Sequence, residues 1–192
     1  LTCKRSENSW SQCGNGAGPS GQSWAWLDEG HHNMKTRIAF YRGRRSQNRH
    51  ALIGDRLICW VTGKPFSHCE LVVSLVTLGG EVYSTMLSSS LRDGGVRGVS
   101  RQLVPGRWLV VEFDGDSKPA IAYIRNRIGV PYGWFDLFSF LLPFRVSWDG
   151  SDFCSEIVAD SLKLPNAWRT SPGDLWDWAV QQPGARVVPD DE

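Results

Sequence analysis

Histidine is scarce in this 192-residue chain: there are four, and only His50 and His68 lie beyond residue 33. The five cysteines, Cys3, Cys13, Cys59, Cys69 and Cys154, form no Cys-x-x-Cys pair and no Cys/His ligand spacing. That argues against structural zinc, and no metal or nucleotide motif is legible, so no cofactor is expected. The odd count and scattered positions read as free thiols, which points to a reducing, cytoplasmic setting. Charge of one sign is lacking too. Lys and Arg number 21 against 20 Asp and Glu, a formal net charge of +1. Such a chain has no global field to recruit nucleic acid or an anionic membrane. Long apolar runs are missing: the best, "WFDLFSFLLPF" from Trp134 to Phe144, falls short of the ~20 residues of a membrane span and contains Asp136 and Pro143. No stretch has the basic start and apolar middle of a secretory peptide.

What is present suits one globular domain. Hydrophobic residues make up 41% of the chain and charged residues 21%, and the ten tryptophans suggest a core or groove built on large rings. Residues 1–33 stand apart. They are rich in Gly, Ser, Asn and Gln and show no strand or helix period. From Met34 the pattern becomes regular. Asp28-Glu29-Gly30 can be encoded by a purine-rich run suited to a ribosome-binding site. Residues 1–33 are therefore expected to be translated upstream sequence or an expression remnant, the alternative being a genuine flexible arm. Residues 34–192 form the expected domain.

Within it, strands come first. Ile38–Tyr41, Asp55–Gly63, Ser67–Leu78, Glu81–Ser89 and Arg107–Phe113 read as strands, with Gly79-Gly80 as a hairpin and "RDGGVRGVS" as a loop. Gly43–His50 reads as a solvated basic loop. Helices follow. One starts at Asp116-Ser117-Lys118-Pro119, carries Ile121, Ile124 and Ile128 on one face and ends at Gly129. A second spans Phe135–Leu142, a third is capped by Ser151 or Asp152 and runs to about Leu162, and a fourth starts at Ser171-Pro172. Strands then helices predict an α+β fold, an antiparallel sheet packed against helices.

The titratable residues point to chemistry in combination. His68 opens the longest strand, where side chains alternate, so His68, Glu70, Val72 and Ser74 share one face and Cys69, Leu71, Val73 and Leu75 the other. A carboxylate two residues along can hold one imidazole nitrogen and leave the other as a base. A polar strand end facing water is the plain alternative. Cys69 belongs with the apolar face and therefore with the core. Cys154 lies in the first turn of the third helix, where unpaired N–H groups and the helix dipole favour a thiolate. A buried, inert thiol is again the plain alternative. Together, Cys154, His68 and Glu70 make a constellation for thiol-based hydrolysis.

"GDRLICWVTGKPFSHCELVV" and "IRNRIGVPYGWFDLFSFLL…DFCSEIVADSL" resemble the two halves of the circularly permuted, papain-like NlpC superfamily, in its YiiX/YebB-like branch. The resemblance spans about Arg37 to Val180. It lies in a Gly-Asp-x-Leu strand, a Ser-His-x-x-Leu-Val strand, a Gly-x-Pro-Tyr turn and a Cys helix, with His before Cys, the permuted order. It implies a permuted papain-like fold, Cys154 as nucleophile and His68 as base. It also implies a polar residue orienting His68: Glu70, or Ser84 or Thr85 on the next strand. A two-residue hairpin would put Thr85, not Ser84, on the His68 face. The implied activity is cleavage of an amide bond, with a peptidoglycan-type peptide or cell-wall fragment as substrate. An acyltransferase or lipid esterase is the alternative, as in lecithin:retinol acyltransferase-like enzymes, with Trp134, Phe135, Phe138 and Phe140 able to line an apolar groove. The closing "LPNAWRTSPGDLWDWA" is similar to small tailed-phage hydrolases, which would make the protein virion-associated. A non-catalytic phage tail or assembly component is a third reading.

Overall fold

The computed structural model describes residues 35–42, 49–78, 81–104, 106–133 and 150–188. All belong to one compact unit, His32–Glu192. The expected boundary after residue 33, the helix at Phe135–Leu142 and the aromatic groove residues lie outside the described residues.

Six strands, β1 (Lys35–Tyr41), β2 (His68–Leu78), β3 (Glu81–Ser90), β4 (Gly95–Gln102), β5 (Trp108–Asp114) and β6 (Arg186–Val188), form one sheet in the order β4-β3-β2-β1-β5-β6. Every neighbouring pair is antiparallel. Four α-helices are described: α1 (Arg49–Thr62), α2 (Lys118–Arg125), α3 (Cys154–Ser161) and α4 (Pro172–Ala179). The architecture is α+β.

Strand alternation builds two cores. Ile38, Phe40, Leu71, Leu87, Val111 and Phe113 meet Ala120 and Ile124 of α2, Ile157 and Val158 of α3, and Leu175 and Ala179 of α4. Their alternates Ala39, Val72, Met86 and Val110 join Trp108 and Leu103 in a second cluster. Each fully buried large apolar side chain contributes about 1.5–3 kcal/mol, so the helix-covered face is the main source of stability.

Several elements differ from the expectations. Residues 55–63 are not a strand: 55–62 are the C-terminal part of α1 and Gly63 follows in a turn, with the Thr62 hydroxyl donating to the Ile58 carbonyl at 2.8 Å. Leu57, Cys59 and Val61 alternate while Leu57, Ile58 and Val61 fit a helical stripe, and a run this short does not discriminate. The Gly-Asp-x-Leu stretch is thus a helix, where a strand was expected. The "RDGGVRGVS" loop contains most of β4, whose glycines hide its strand character. One of them is required: a Cβ on Gly95 would lie 2.1 Å from the Val130 carbonyl oxygen. That close approach ties β4 to the segment leading to α3, through bridges Gly95–Pro131 and Tyr132–Asp152. α2 ends at Arg125, and Ile128, expected on its inner face, is 44% exposed beyond it.

Candidate active site

β2 and α3 bring the site together. β2 begins at His68, paired with Tyr41, and Glu70 pairs with Ala39 across the sheet. α3 begins at Cys154 itself. Its N-cap is Phe153, in extended conformation, not Asp152 or Ser151. The Phe153 N–H donates to the Glu156 carboxylate at 3.2 Å, closing the first turn from below. Asp152 instead pairs with Arg127. Both its oxygens accept from the guanidinium, at 2.9 and 3.0 Å, anchoring the chain just before the helix. Cys154 therefore occupies the first helical position, where the backbone N–H has no intrahelical acceptor. Ser155 fixes the same turn by donating to the Thr170 carbonyl at 2.6 Å.

Glu70 does not face water. Its carboxylate is fully buried and accepts from His68 Nε2 at 3.0 Å. The guanidinium of Arg97 grips the other side, with Nη2 at 3.0 Å from Oε1 and Nη1 at 3.3 Å from Oε2. Arg97 Nε in turn donates to Asp93 at 2.7 Å. Burial opposes ionisation of Glu70, but His68, Arg97 and Arg101 outweigh it and lower the carboxyl to about 2. Glu70 is an anion at neutral pH, and it holds the imidazole. With Nε2 occupied, Nδ1 is the ring nitrogen left for sulfur.

Cys154 and His68 act on each other. Burial disfavours charge on both. The Cys154 thiolate raises the imidazole to about 9 through charge and a hydrogen bond, with Glu70 adding to it. The thiol is lowered to about 5, by a hydrogen bond from the Cys69 side chain, by the charge and hydrogen bond of His68, and by the Cys69 backbone N–H. Between those values the pair is thiolate and imidazolium, and its two titrations belong to the pair jointly. Such a thiolate is the nucleophilic form of cysteine.

Ser84 and Thr85 sit elsewhere. A β-bulge between Val72 and Ser74 shifts the register, so that Val72 pairs with Met86 and Ser74 with Thr85. The bulge reverses the alternation expected from the hairpin, and Thr85 lies on the face opposite Glu70. Its hydroxyl bonds Ser100 at 2.8 Å. Ser84 pairs with Leu75, seven residues along β2 from His68. Of the three possible orienting residues, Glu70 alone hydrogen-bonds the ring among the described contacts. His50, expected in a basic loop, lies in the first turn of α1.

Sequence reasoning missed Arg97, Asp93, Ser88 and Asp55. Arg97 lies two strands away from Glu70, and no local signal marks it. The Ser88 hydroxyl donates to the Cys69 carbonyl at 2.8 Å and lies 3.4 Å from the Cys154 carbonyl, linking β3 to both cysteines. Asp55, on α1, is raised by its burial, against the pull of Ser67, His68 and Arg92, while the Cys154 charge adds to the rise. A partly buried carboxyl therefore borders the dyad. The neighbouring Ser67 hydroxyl is buried without a well-formed hydrogen bond. Among the described residues no cluster of three or more His, Cys, Asp or Glu could hold a metal ion. No helix among them is long and apolar enough to cross a membrane. The chain matches no family model and no curated protein.

Proposed function

We propose that the protein is a cysteine hydrolase that cleaves an amide bond in a peptidoglycan-type peptide. The observation that carries the reading is the Cys154–His68 pair at the start of α3, with His68 held by the buried Glu70 carboxylate. The chemistry follows from that arrangement. The Cys154 thiolate attacks the scissile carbonyl carbon, and the C=O electrons move to oxygen. First-turn N–H groups of α3 stabilise that oxyanion. Imidazolium Nδ1 gives its proton to the leaving amine as the C–N bond breaks, leaving a thioester on Cys154. Neutral His68 then takes a proton from water as its oxygen attacks the thioester carbon; the C–S bond breaks with its electrons on sulfur, restoring the Cys154 thiolate beside imidazolium, and the carboxylic acid leaves. Glu70 and Arg97 keep the ring in one orientation throughout.

The antiparallel sheet and the order His strand before Cys helix support a permuted papain-like arrangement. The helical α1, in place of the expected strand, departs from it. Incubation of wild type and Cys154→Ser with peptidoglycan fragments and with acyl esters, in parallel, tests the reading. The expected result is release of new amino groups from the peptide by wild type only. Ester cleavage with the peptide untouched would move the protein to the acyltransferase or esterase class. Equal turnover by Cys154→Ser would overturn thiol catalysis altogether.

A further inference from the structure

Cys69 has no part in the hydrolytic steps above, yet it adjoins Cys154. Both cysteines are buried in the same core cluster, at 0% and 1% exposure. The Ser88 hydroxyl lies 2.8 Å from the Cys69 carbonyl and 3.4 Å from the Cys154 carbonyl, so one oxygen atom spans the two main chains. The Cys69 thiol and backbone N–H both point hydrogen bonds at the Cys154 sulfur. A strand start and a helix start thus meet thiol to thiol.

We propose that Cys69 is a resolving thiol: peroxide converts the site to a reversible Cys69–Cys154 disulfide, which switches it off and protects it from irreversible oxidation. The Cys154 thiolate attacks one peroxide oxygen, the O–O bond breaks, and hydroxide leaves, giving the sulfenic acid. The Cys69 sulfur then attacks the Cys154 sulfur. The S–S bond forms, the S–O bond breaks, and the Cys69 proton leaves with the hydroxyl as water. Peroxide is reduced by two electrons and the two thiols are oxidised by two. While Cys154 is a thiolate, burial and that neighbouring charge hold Cys69 in its protonated form. Oxidation of Cys154 removes that charge, so the Cys69 proton is held less strongly after the first step than before it, although burial still favours the thiol. The resolving residue is therefore silent during turnover and active after oxidation.

The proposal shares the Cys154 thiolate with the hydrolase reading, but its readout needs no substrate, so failure of either is separately visible. The full chain is treated with hydrogen peroxide, quenched with an alkylating agent without reductant, digested and mapped by mass spectrometry. The expected result is a linked peptide pair carrying Cys69 and Cys154, with two fewer alkylated thiols per chain, both restored by dithiothreitol. In Cys69→Ser and Cys69→Ala, Cys154 is expected instead as sulfinic acid, roughly 32 Da heavier, and no longer recoverable. Three results would overturn the proposal: Cys154 over-oxidised in wild type while Cys69 stays alkylatable, Cys154 joined to another cysteine, or Cys154 unmodified. The wild-type map alone is decisive if the Cys69 variants do not fold.

Discussion

Two glutamates are buried on this sheet, and their surroundings differ in an instructive way. Glu112, on β5, is 3% exposed and accepts from Arg37 and Arg186. Its carboxyl is disfavoured by burial yet held low by those two arginines. Glu70, on β2, is fully buried and meets Arg97 and His68. Burial and ion pairing are thus common to both. The partners set them apart. Arg186 is 65% exposed and belongs to the edge strand β6, so the Glu112 cluster clips an edge to the sheet. The Arg97 side chain is only 15% exposed, and the imidazole on Glu70 exchanges a proton with the Cys154 sulfur. A buried carboxylate is a structural rivet when all its partners are permanent cations. It belongs to a reactive site when one partner can itself give up a proton.

The largest expected effect comes from removing the sulfur. Cys154→Ala is expected to abolish hydrolysis while the fold persists, as judged by circular dichroism and by turnover of peptidoglycan fragments. Glu70→Gln comes next. Without the anion, His68 loses its orientation, and kcat/KM is expected to fall by about 10²–10⁴-fold. The matched Glu112→Gln is expected to leave kcat/KM within about twofold, because that side chain touches nothing that titrates near neutrality. If Glu112→Gln cost as much activity as Glu70→Gln, the distinction between rivet and site would be wrong.

Stability should separate the two sites as well. Glu70→Ala leaves the mostly buried Arg97 cation with Asp93 as its one carboxylate partner and takes the anion from His68, a change worth about 3 kcal/mol and readable in a urea melt. Glu112→Ala leaves an Arg186 that can turn to water, and about 1 kcal/mol is expected.

The pH dependence has a definite sign. Glu70 is lowered from an ordinary ~4.3 to about 2, so its contribution is complete above ~4.3 and is lost as pH falls toward 2. Taken singly, His68 is raised to about 9, so its contribution is present below ~6.5 and is lost as pH rises through 9. Cys154, lowered to about 5, contributes above ~8.5 and loses that contribution as pH falls through 5. Jointly the folded pair keeps one proton from about 5 to about 9. The unfolded chain holds two on those groups below ~6.5 and none above ~8.5. Thermal stability is therefore expected to peak between pH ~6.5 and ~8.5, to decline on both sides, and to drop further below ~4.3 as Glu70 is protonated. Cys154→Ser should flatten the upper peak and leave the acid limb due to Glu70. An unchanged profile in Cys154→Ser would contradict the ion pair. The smallest effect is expected at Trp60, 76% exposed on α1, where Trp60→Ala should change stability by no more than about 0.5 kcal/mol.

How much of this was legible in the sequence follows from distance along the chain. Alternation in β2, β3 and β5 marked the strands, and the Ser171-Pro172 pair marked the start of α4, where the Ser171 hydroxyl accepts from the Asp174 N–H at 3.1 Å. The contact between His68 and Glu70 is local, two residues on one strand, and alternation places them together. The contact between His68 and Cys154 spans 86 positions and was reached only by combining a strand start with a helix start. Arg97 was out of reach. It meets Glu70 across β3, and β4 is disguised by Gly95 and Gly98. The bulge at Val72–Ser74 was equally silent, and it alone decides that Thr85 faces away. In residues 55–62 a short apolar run satisfies both periods, and only packing of Ile58 against the core selects the helix.

The charge state of the Cys154 sulfur is the central claim, and alkylation by iodoacetamide as a function of pH measures that state directly. Labelling of each cysteine is followed separately by mass spectrometry of digested wild type and His68→Ala. The Cys154 rate is expected to rise with a midpoint near pH 5 and to exceed those of Cys59 and Cys69 at pH 6, and His68→Ala is expected to move the midpoint upward. A wild-type Cys154 that titrates like an ordinary thiol near pH ~8.5, or labels at about pH 6 no faster than Cys59 and Cys69, would contradict it.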